Sequence, residues 1–230
     1  MQILYNNSQY VAALMNIYLN YKSYYAFGAF GAPANKKNKV RYNVPDAVSP
    51  TTFLFDCSGF AYRALPWGWC GALDRAYGGA VYPVAGDDLY PLTTGDICSI
   101  CIDVSKDFSN ILPGEVLYMK GHVGIYIGEG KALECTSKWE NKILISQVSN
   151  VSTSTGIKYK RKWLKHGKLP FINYQVVSDG KEEYTTARMG EGLIRIARRC
   201  GISLDEIKRL NPQIKPPAYI VRIGQKVRIK

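Results

Sequence analysis

The chain has 230 residues, of which 47% are hydrophobic, and it carries 30 Lys and Arg against 18 Asp and Glu, a net charge of +12. This length allows one full domain with a sizeable core and a small second domain. No apolar run is long enough to span a bilayer, which excludes a transmembrane segment. Residues 184–230 hold 11 of the basic residues and 3 of the acidic ones, which favours an anionic polymer as partner.

The first predicted element is a helix from about residue 8 to residue 21, with Ser8 as its N-cap. Its apolar side chains recur at helical spacing and are expected to pack on a sheet; they are Val11, Leu14, Met15, Tyr18 and Leu19. No Lys or Arg precedes Lys22, so the start lacks the basic region of a secretory signal. We therefore expect synthesis in the cytoplasm, with the six cysteines reduced.

The sequence Asp56-Cys57-Ser58-Gly59-Phe60 predicts a cysteine at the start of a helix. The free N–H groups and the helix dipole at that position stabilise a thiolate. We therefore expect Cys57 to have a lowered pKa and to act as a nucleophile.

A thiol nucleophile needs a base, and the chain contains two histidines. His122 opens an alternating segment typical of a half-buried strand, and Glu134 lies twelve residues later in the next predicted strand. A tight turn at Glu129-Gly130 would place Glu134 beside His122, where a carboxylate can orient the imidazole. Cys57, His122 and Glu134 are therefore the predicted nucleophile, base and orienting residue.

The predicted sheet has strands at 116–119, 122–127, 132–135 and 143–148, and a basic edge strand at 159–165. His166 follows in a predicted turn, where a structural role is expected. Cys98 and Cys101 have the spacing of half a zinc site, but no second pair with that spacing exists. We therefore expect no metal and no cofactor.

Three motifs together resemble the NlpC/P60 cysteine peptidases: Asp-Cys-Ser-Gly-Phe at 56–60, Leu-Pro-Gly-Glu-Val-Leu-Tyr at 112–118, and Gly-His-Val-Gly-Ile-Tyr-Ile-Gly at 121–128. The resemblance implies an α+β, papain-like fold over residues 1–173, with N-terminal helices packed on an antiparallel sheet. It also implies cleavage of bacterial peptidoglycan stem peptides by Cys57 and His122. The third catalytic position is commonly histidine in that family, and Glu134 occupies it here.

The same resemblance implies three substrate-binding residues: Tyr25, Asp56 and Ser58. Tyr25 matches the tyrosine of a Tyr-x-Trp-Gly-Gly segment that helps to hold the amino end of the substrate. Tyr25 could instead be one of the chain's many core or surface tyrosines, and Asp56 could instead be a carboxylate that caps the helix.

Residues 174–183 are polar and without a period, and form the predicted linker. Residues 184–230 are predicted to fold as strand, helix, helix and strand, with a capping box at Ser203 to Glu206. This βααβ pattern resembles a LysM module, which binds glycans that contain N-acetylglucosamine. The resemblance implies glycan binding by two loops, whose candidate residues are Gly190, Glu191, Gly192, Leu193, Asn211, Pro212 and Ile214.

The resulting hypothesis is a peptidoglycan hydrolase, similar in arrangement to a bacteriophage endolysin, that cuts a stem-peptide amide bond while LysM holds the wall glycan. Three alternatives remain open: an N-acetylmuramoyl-L-alanine amidase on the same fold, a wall-binding protein with an inert peptidase domain, and salt-sensitive attraction to nucleic acid. The expected partner is bacterial peptidoglycan, without specific nucleic-acid binding, and the expected state is a monomer that acts on the wall after release.

Overall fold

The computed structural model describes residues 3–83, 97–152, 156–174, 184–188, 191–200, 202–214, 219 and 221–229. The chain divides into two compact units, at 1–175 and 176–230. Most of the predicted linker lies outside the described residues, so the predicted boundaries at 173 and 184 stay predictions. None of the helices in the described ranges has the length and apolar character that crossing a membrane requires.

The first helix, α1 (Asn7–Asn20), follows the short strand β1 (Tyr5–Asn6). Its N-cap is Asn6, whose side chain accepts a hydrogen bond from the N–H of Gln9 at 2.8 Å, while the Gln9 side chain accepts one from the Asn6 N–H. The predicted cap at Ser8 is therefore wrong by two residues. The Asn6–Gln9 capping box satisfies two backbone donors, and Ser8 lies inside the first turn.

A three-stranded sheet precedes the Cys57 segment, with strand order β2-β4-β3. Its strands are β2 (Ser23–Tyr25), β3 (Phe30–Pro33) and β4 (Phe53–Phe55), and helix α2 (Lys36–Tyr42) connects β3 to β4. Because β4 is fully buried and ends at Phe55, it delivers Asp56 and Cys57 to a fixed position at its end.

The chain turns into a helix at Cys57 and then widens into a π-helix over Gly59–Arg63. Gly59 allows this turn because a Cβ there would lie 2.0 Å from the carbonyl oxygen of Ala29. The helix ends before Pro66, because proline removes a backbone donor. Trp67 and Trp69 follow and are 6% and 7% exposed, so both belong to the core.

The larger sheet has seven strands in the order β10-β9-β8-β7-β6-β11-β5. A short helix, α3 (Ile97–Ile100), precedes it, and its strands are β5 (Ile102–Ser105), β6 (Val116–Met119), β7 (His122–Gly128), β8 (Lys131–Thr136), β9 (Lys142–Val148), β10 (Lys160–Arg161) and β11 (Lys165–Lys168). β6 to β9 are antiparallel neighbours, and each includes one of the four predicted strands. The observed class is therefore α+β with a largely antiparallel sheet, as predicted.

The single edge strand predicted at 159–165 is wrong. Two short strands replace it, with β10 at one edge of the sheet and β11 between β6 and β5. Residues 162–164 separate these strands, and Trp163 among them is buried, at 2% exposed. His166 consequently lies in a buried strand and not in the predicted turn. The unit ends with β12 (Ile172–Asn173), which pairs with β1.

The C-terminal unit has its own apolar core, built from residues including Leu193, Ile196, Ile207 and Val227. Its elements are β13 (Tyr184–Thr186), α4 (Leu193–Cys200), α5 (Leu204–Leu210) and β14 (Lys226–Arg228), and the two strands pair antiparallel. Ser203 caps α5 by accepting a hydrogen bond from the N–H of Glu206. The predicted βααβ order and the Ser203 cap are both confirmed.

The observed helix cap gives a stability prediction. We expect Asn6→Ala to lower the free energy of unfolding of the N-terminal unit by about 1 kcal/mol, because the substitution leaves the Gln9 N–H without its acceptor. Ser8→Ala serves as the matched control and should change stability by less than about 0.5 kcal/mol. Urea denaturation followed by circular dichroism measures both changes, and an equal effect of the two substitutions would contradict the assignment of the cap.

Candidate active site

Cys57 lies at the edge of a cavity of about 180 Å³. The thiol-bearing residue is only 5% exposed, so the cavity is its route to solvent. The residues that line this cavity are Tyr25, Phe27, Gly28, Asp56, Cys57, Ser58, Arg63 and Gly121. The structure therefore brings all three predicted substrate-binding residues, Tyr25, Asp56 and Ser58, to the same cavity as Cys57.

Asp56 acts as the helix cap that the sequence offered as an alternative to substrate binding. Its Oδ1 accepts hydrogen bonds from the Gly59 N–H and from the Ser58 hydroxyl, the latter at 2.9 Å. Its Oδ2 accepts one from the Gly28 N–H at 2.9 Å. Both carboxylate oxygens are thus engaged within the protein, which ties the Cys57 helix to the loop at Gly28. The substrate-binding role of Asp56 and Ser58 stays a prediction.

The expected lowered pKa of Cys57 is wrong for this structure. Burial, followed by the negative charge of Asp56, raises the pKa of the Cys57 thiol to about 11. The N–H groups of Val123, Ser58 and Cys57 act in the opposite direction, as the helix-start argument anticipated. Desolvation outweighs them because the sulfur is almost fully enclosed.

His122 and Glu134 meet as predicted. Strands β7 and β8 form a hairpin through Glu129 and Gly130, both with positive φ. The hairpin places His122 Nε2 at 2.6 Å from Glu134 Oε2. Glu134 is fully buried, and the His122 side chain is 14% exposed. The carboxylate therefore fixes the imidazole, while the ring keeps some access to solvent.

Gly124 provides the space in which this pair is assembled. A Cβ at Gly124 would lie 3.0 Å from the ring of Trp163 and 3.2 Å from the Cβ of Glu134. The missing side chain lets Trp163 reach the sheet, where it stacks against His122 with a ring separation of 5.7 Å and an interplanar angle of 16°. The second glycine of the Gly-His-Val-Gly motif therefore serves packing around His122.

Both sequence neighbours of His122 reach the Cys57 site. Gly121 lines the cavity, and the backbone N–H of Val123 lowers the pKa of the Cys57 thiol. Within the described residues, however, no hydrogen bond joins Cys57 to His122. The nitrogen of His122 that remains for the thiol is Nδ1, because Glu134 engages Nε2.

His166, the second histidine, is engaged elsewhere. Its Nδ1 is hydrogen-bonded to Glu115, and its Nε2 lies 2.8 Å from the carbonyl oxygen of Asp107. Burial lowers the pKa of His166, but Glu115 and Asp107 raise it overall. With both nitrogens bonded and only 5% of the residue exposed, His166 has the structural role that the sequence suggested.

Sequence reasoning missed several residues of the site. Phe27 stands at the rim of the cavity and is 84% exposed, and Arg63 also lines the cavity. Arg161 contacts Glu134, although its position in a basic segment suggested an edge-protecting charge. The available signal was the alternation of Arg161 and Trp163 with exposed lysines, which is typical of residues facing inward from an extended segment.

Three of the seven predicted glycan-binding residues of the C-terminal unit are buried, and Pro212 is exposed. Asn211 is 1% exposed, and its side chain donates to the carbonyls of Ile207 and Arg228 and accepts from the Arg228 N–H. Leu193 and Ile214 belong to the apolar core of this unit.

Glu191 forms an ion pair with Arg199, with a separation of 2.8 Å. Gly192 lies at the surface of a cavity described below, and Gly190 lies outside the described residues. Glycan binding by the seven predicted residues stays a prediction.

Comparison with known proteins gives a match for the C-terminal segment. Residues 186–230 match the family described as LysM domain. This unit is similar to a LysM domain. No curated protein matches the chain.

Two solved structures resemble the chain. "Structure of NlpC1 from Trichomonas vaginalis" is 16% identical, with a TM-score of 0.38 over 70% of this chain and 44% of that one. "Structure of NlpC2 from Trichomonas vaginalis" is 16% identical, with a TM-score of 0.37 over 71% of this chain and 46% of that one. The chain thus spans less than half the length of either protein.

The LysM-like unit has a surface cavity of about 530 Å³ between α4 and α5. Its lining combines apolar and basic side chains: Gly192, Leu193, Ile194, Arg195, Arg198, Leu204, Lys208 and Tyr219. Lys208 Nζ lies 4.7 Å from the centre of the Tyr219 ring. The cavity therefore offers an aromatic face beside positive charge.

No set of three or more potential metal ligands of the types His, Cys, Asp and Glu occurs in the part of the chain that the structure describes. Cys98 and Cys101 are partly buried, and Cys101 packs against Gly167. These two thiols therefore contribute to packing in the described part of the N-terminal unit.

The charge environment of Cys57 gives a prediction for thiol reactivity. Because Asp56 raises the pKa of Cys57, Asp56→Asn should lower that pKa and increase the thiolate population at pH 8. We expect alkylation of Cys57 by iodoacetamide to accelerate by up to about tenfold, the effect of one pKa unit. Peptide-level mass spectrometry measures the rate, with Cys200 in the LysM-like unit as internal control. An unchanged or slower rate would show that Asp56 does not set the thiol pKa.

Proposed function

We propose that the chain is a peptidoglycan hydrolase of the NlpC/P60 type, in which Cys57 cleaves an amide bond of the stem peptide. The supporting observation is the placement of His122 between Gly121, which lines the Cys57 cavity, and Val123, whose N–H reaches the sulfur. The hydrogen bond to Glu134 then holds the imidazole in a single orientation. Nucleophile, base and orienting residue are the three parts that a cysteine peptidase needs.

Under this proposal the cysteine is a protonated thiol before substrate binds, because its pKa lies near 11. His122 Nδ1 accepts the thiol proton as the sulfur attacks the carbonyl carbon, and the C–N bond then breaks as the same proton passes to the leaving amine. Water next attacks the thioester with His122 as base, and this step regenerates the thiol.

The negative oxygen that forms during attack needs donors, and the helix start supplies them. The N–H groups of Cys57 and Ser58 are close to the sulfur. Backbone donors at a helix start can stabilise such an oxyanion without reorganisation. These N–H groups do not lower the pKa of the resting thiol enough to ionise it. They would instead stabilise the negative charge that forms on the oxygen during the reaction.

The LysM-like unit would hold the enzyme on wall glycan. Its cavity beside Tyr219 has an aromatic face of the kind that binds an amphipathic ring. Attachment to a repeating polymer raises the effective concentration of the catalytic unit near its bonds. Modest glycan affinity is therefore sufficient for this role.

A wall-binding protein with an inert N-terminal unit is the second candidate. Two observations favour it: the high pKa of Cys57 and the lack of a hydrogen bond between Cys57 and His122 within the described residues. The two candidates differ in whether the thiol ever breaks a bond.

Digestion of purified peptidoglycan separates these candidates. We expect the wild-type protein to release soluble fragments and Cys57→Ser to lose at least about 100-fold in rate, since it removes the nucleophile. Mass spectrometry of the fragments identifies the broken bond, and cleavage between lactyl group and first amino acid would indicate the amidase. Equal fragment yields from the two proteins would reject thiol catalysis, and no release by either would favour the inert protein.

Glycan attachment is tested with Cys57→Ser as the background, so that the wall stays intact. We expect Tyr219→Ala to weaken sedimentation with insoluble peptidoglycan about tenfold, the equivalent of roughly 1.4 kcal/mol. Tyr184→Ala is the matched control, because Tyr184 is half-exposed in the same unit but does not line the cavity. Equal binding by both variants would remove this cavity from the proposed glycan site.

A further inference from the structure

Glu134 has a partner beyond His122 that neither the sequence nor the proposed mechanism assigns. Arg161 approaches the same carboxylate with two nitrogens, Nε at 3.1 Å from Oε1 and one terminal nitrogen at 2.8 Å from Oε2. The Ser146 hydroxyl donates to Oε1. Glu134 is 0% exposed and Arg161 is 7% exposed, so this contact is shielded from water.

The guanidinium of Arg161 is fixed on its other sides as well. Its central carbon lies 4.6 Å from the ring centre of Trp139 and 5.4 Å from that of Trp163. The terminal nitrogen that pairs with Glu134 also donates to Thr136 Oγ1 at 3.4 Å. Trp163 also stacks on His122, so Arg161 and the imidazole share one packing partner. A side chain held between two rings has little freedom to leave the carboxylate.

The position of Arg161 differs from that of its basic neighbours. Lys160 and Lys162 are exposed, whereas Arg161 is buried. The contact uses two adjacent guanidinium nitrogens on two carboxylate oxygens, a geometry that Arg provides and Lys does not. The positive charge of Arg161 therefore pairs with Glu134 in the interior and does not face the solvent.

We propose that Arg161 is a positioning residue, which keeps Glu134 ionised so that the carboxylate always accepts a hydrogen bond from the Nε2–H of His122. This inference rests on the proposed function, since it concerns the base of that reaction. An ionised Glu134 is an acceptor only, and it selects the tautomer of His122 in which Nδ1 is free to take the thiol proton. A protonated Glu134 would lose this selectivity.

The titratable, charged and hydrogen-bonding groups around Glu134 come from four strands. His122 lies on β7, Cys135 is the next residue of β8, the Ser146 hydroxyl comes from β9, and Arg161 lies on β10. Burial raises the pKa of Glu134, but His122 and Arg161 together lower it below its usual value. Removal of Arg161 takes away one of the two groups that offset the effect of burial on the pKa of Glu134. We therefore expect this pKa to rise and the carboxyl group to protonate in mildly acidic solution.

The first test is the pH dependence of peptidoglycan hydrolysis by Arg161→Gln, Arg161→Lys and Lys162→Gln. For Arg161→Gln we expect the acid limb of kcat/KM to move to higher pH by about one unit, and the rate at pH 6 to fall on the order of 100-fold through misplacement of the base. Arg161→Lys should show a smaller shift of the acid limb and a smaller loss of rate at pH 6, because it keeps the positive charge. Lys162→Gln removes an exposed charge from the same segment and should change neither.

The second test does not depend on activity. His122 and His166 are the two histidines of the chain, so long-range ¹H–¹⁵N spectra of the imidazoles can follow both. We expect the wild-type protein and Lys162→Gln to show His122 with its proton on Nε2, and Arg161→Gln to show a mixture of tautomers at pH 6. His166 should be unchanged throughout and serves as the control for folding.

An unchanged His122 tautomer in Arg161→Gln would overturn the proposal, whether or not the rate falls. If wild-type protein proves inactive on peptidoglycan, the proposed function fails, and the tautomer measurement alone decides the role of Arg161. A loss of signal from both histidines would mean that Arg161→Gln has unfolded the unit; the comparison of Arg161→Lys with wild-type protein, at pH 6 and pH 8, then decides. A tautomer ratio that matches wild type at both pH values would support the role of the charge, and an equal disturbance at both would reject it.

Discussion

The buried negative charge of Glu134 is the constraint on which much of the larger sheet depends. An ionised carboxylate in the interior costs several kcal/mol unless it is paired and hydrogen-bonded. Its partners come from three other strands: His122 on β7, Ser146 on β9 and Arg161 on β10. Each of these strands must therefore keep its register relative to β8, since a slip of one residue would turn a partner away from Glu134.

The same burial has an opposite effect at Cys57. Desolvation penalises the thiolate, and Asp56, which is needed to cap the helix, adds a further penalty. Donors from Val123, Ser58 and Cys57 offset only part of it. Under the proposed function, a site of this kind favours a mechanism in which the proton leaves sulfur during attack, with His122 as general base, over one that begins from a preformed thiolate.

Local patterns were sufficient for much of the architecture. Alternating apolar residues predicted strand β7, because a half-buried strand repeats every two residues, and short apolar runs beside turn residues predicted β6, β8 and β9. The Glu129-Gly130 turn predicted the hairpin that joins His122 to Glu134, and the Ser203 cap predicted the start of α5. These features depend on residues close in sequence, so composition and spacing determine them. The predicted cap at Ser8 failed because Asn6 offered the same chemistry two residues earlier.

The sequence by itself determined the βααβ order of the C-terminal unit, the antiparallel strands and the His122–Glu134 pair. Only the tertiary structure decided the ionisation of Cys57 and the partners of Glu134. The pKa of a thiol depends on how completely distant segments of the chain exclude water from it. The local sequence pattern of a helix start does not contain that information. Likewise Arg161 lies 27 residues from Glu134, and it reaches the carboxylate because β9 places β10 at the sheet edge and Gly124 leaves room for Trp163.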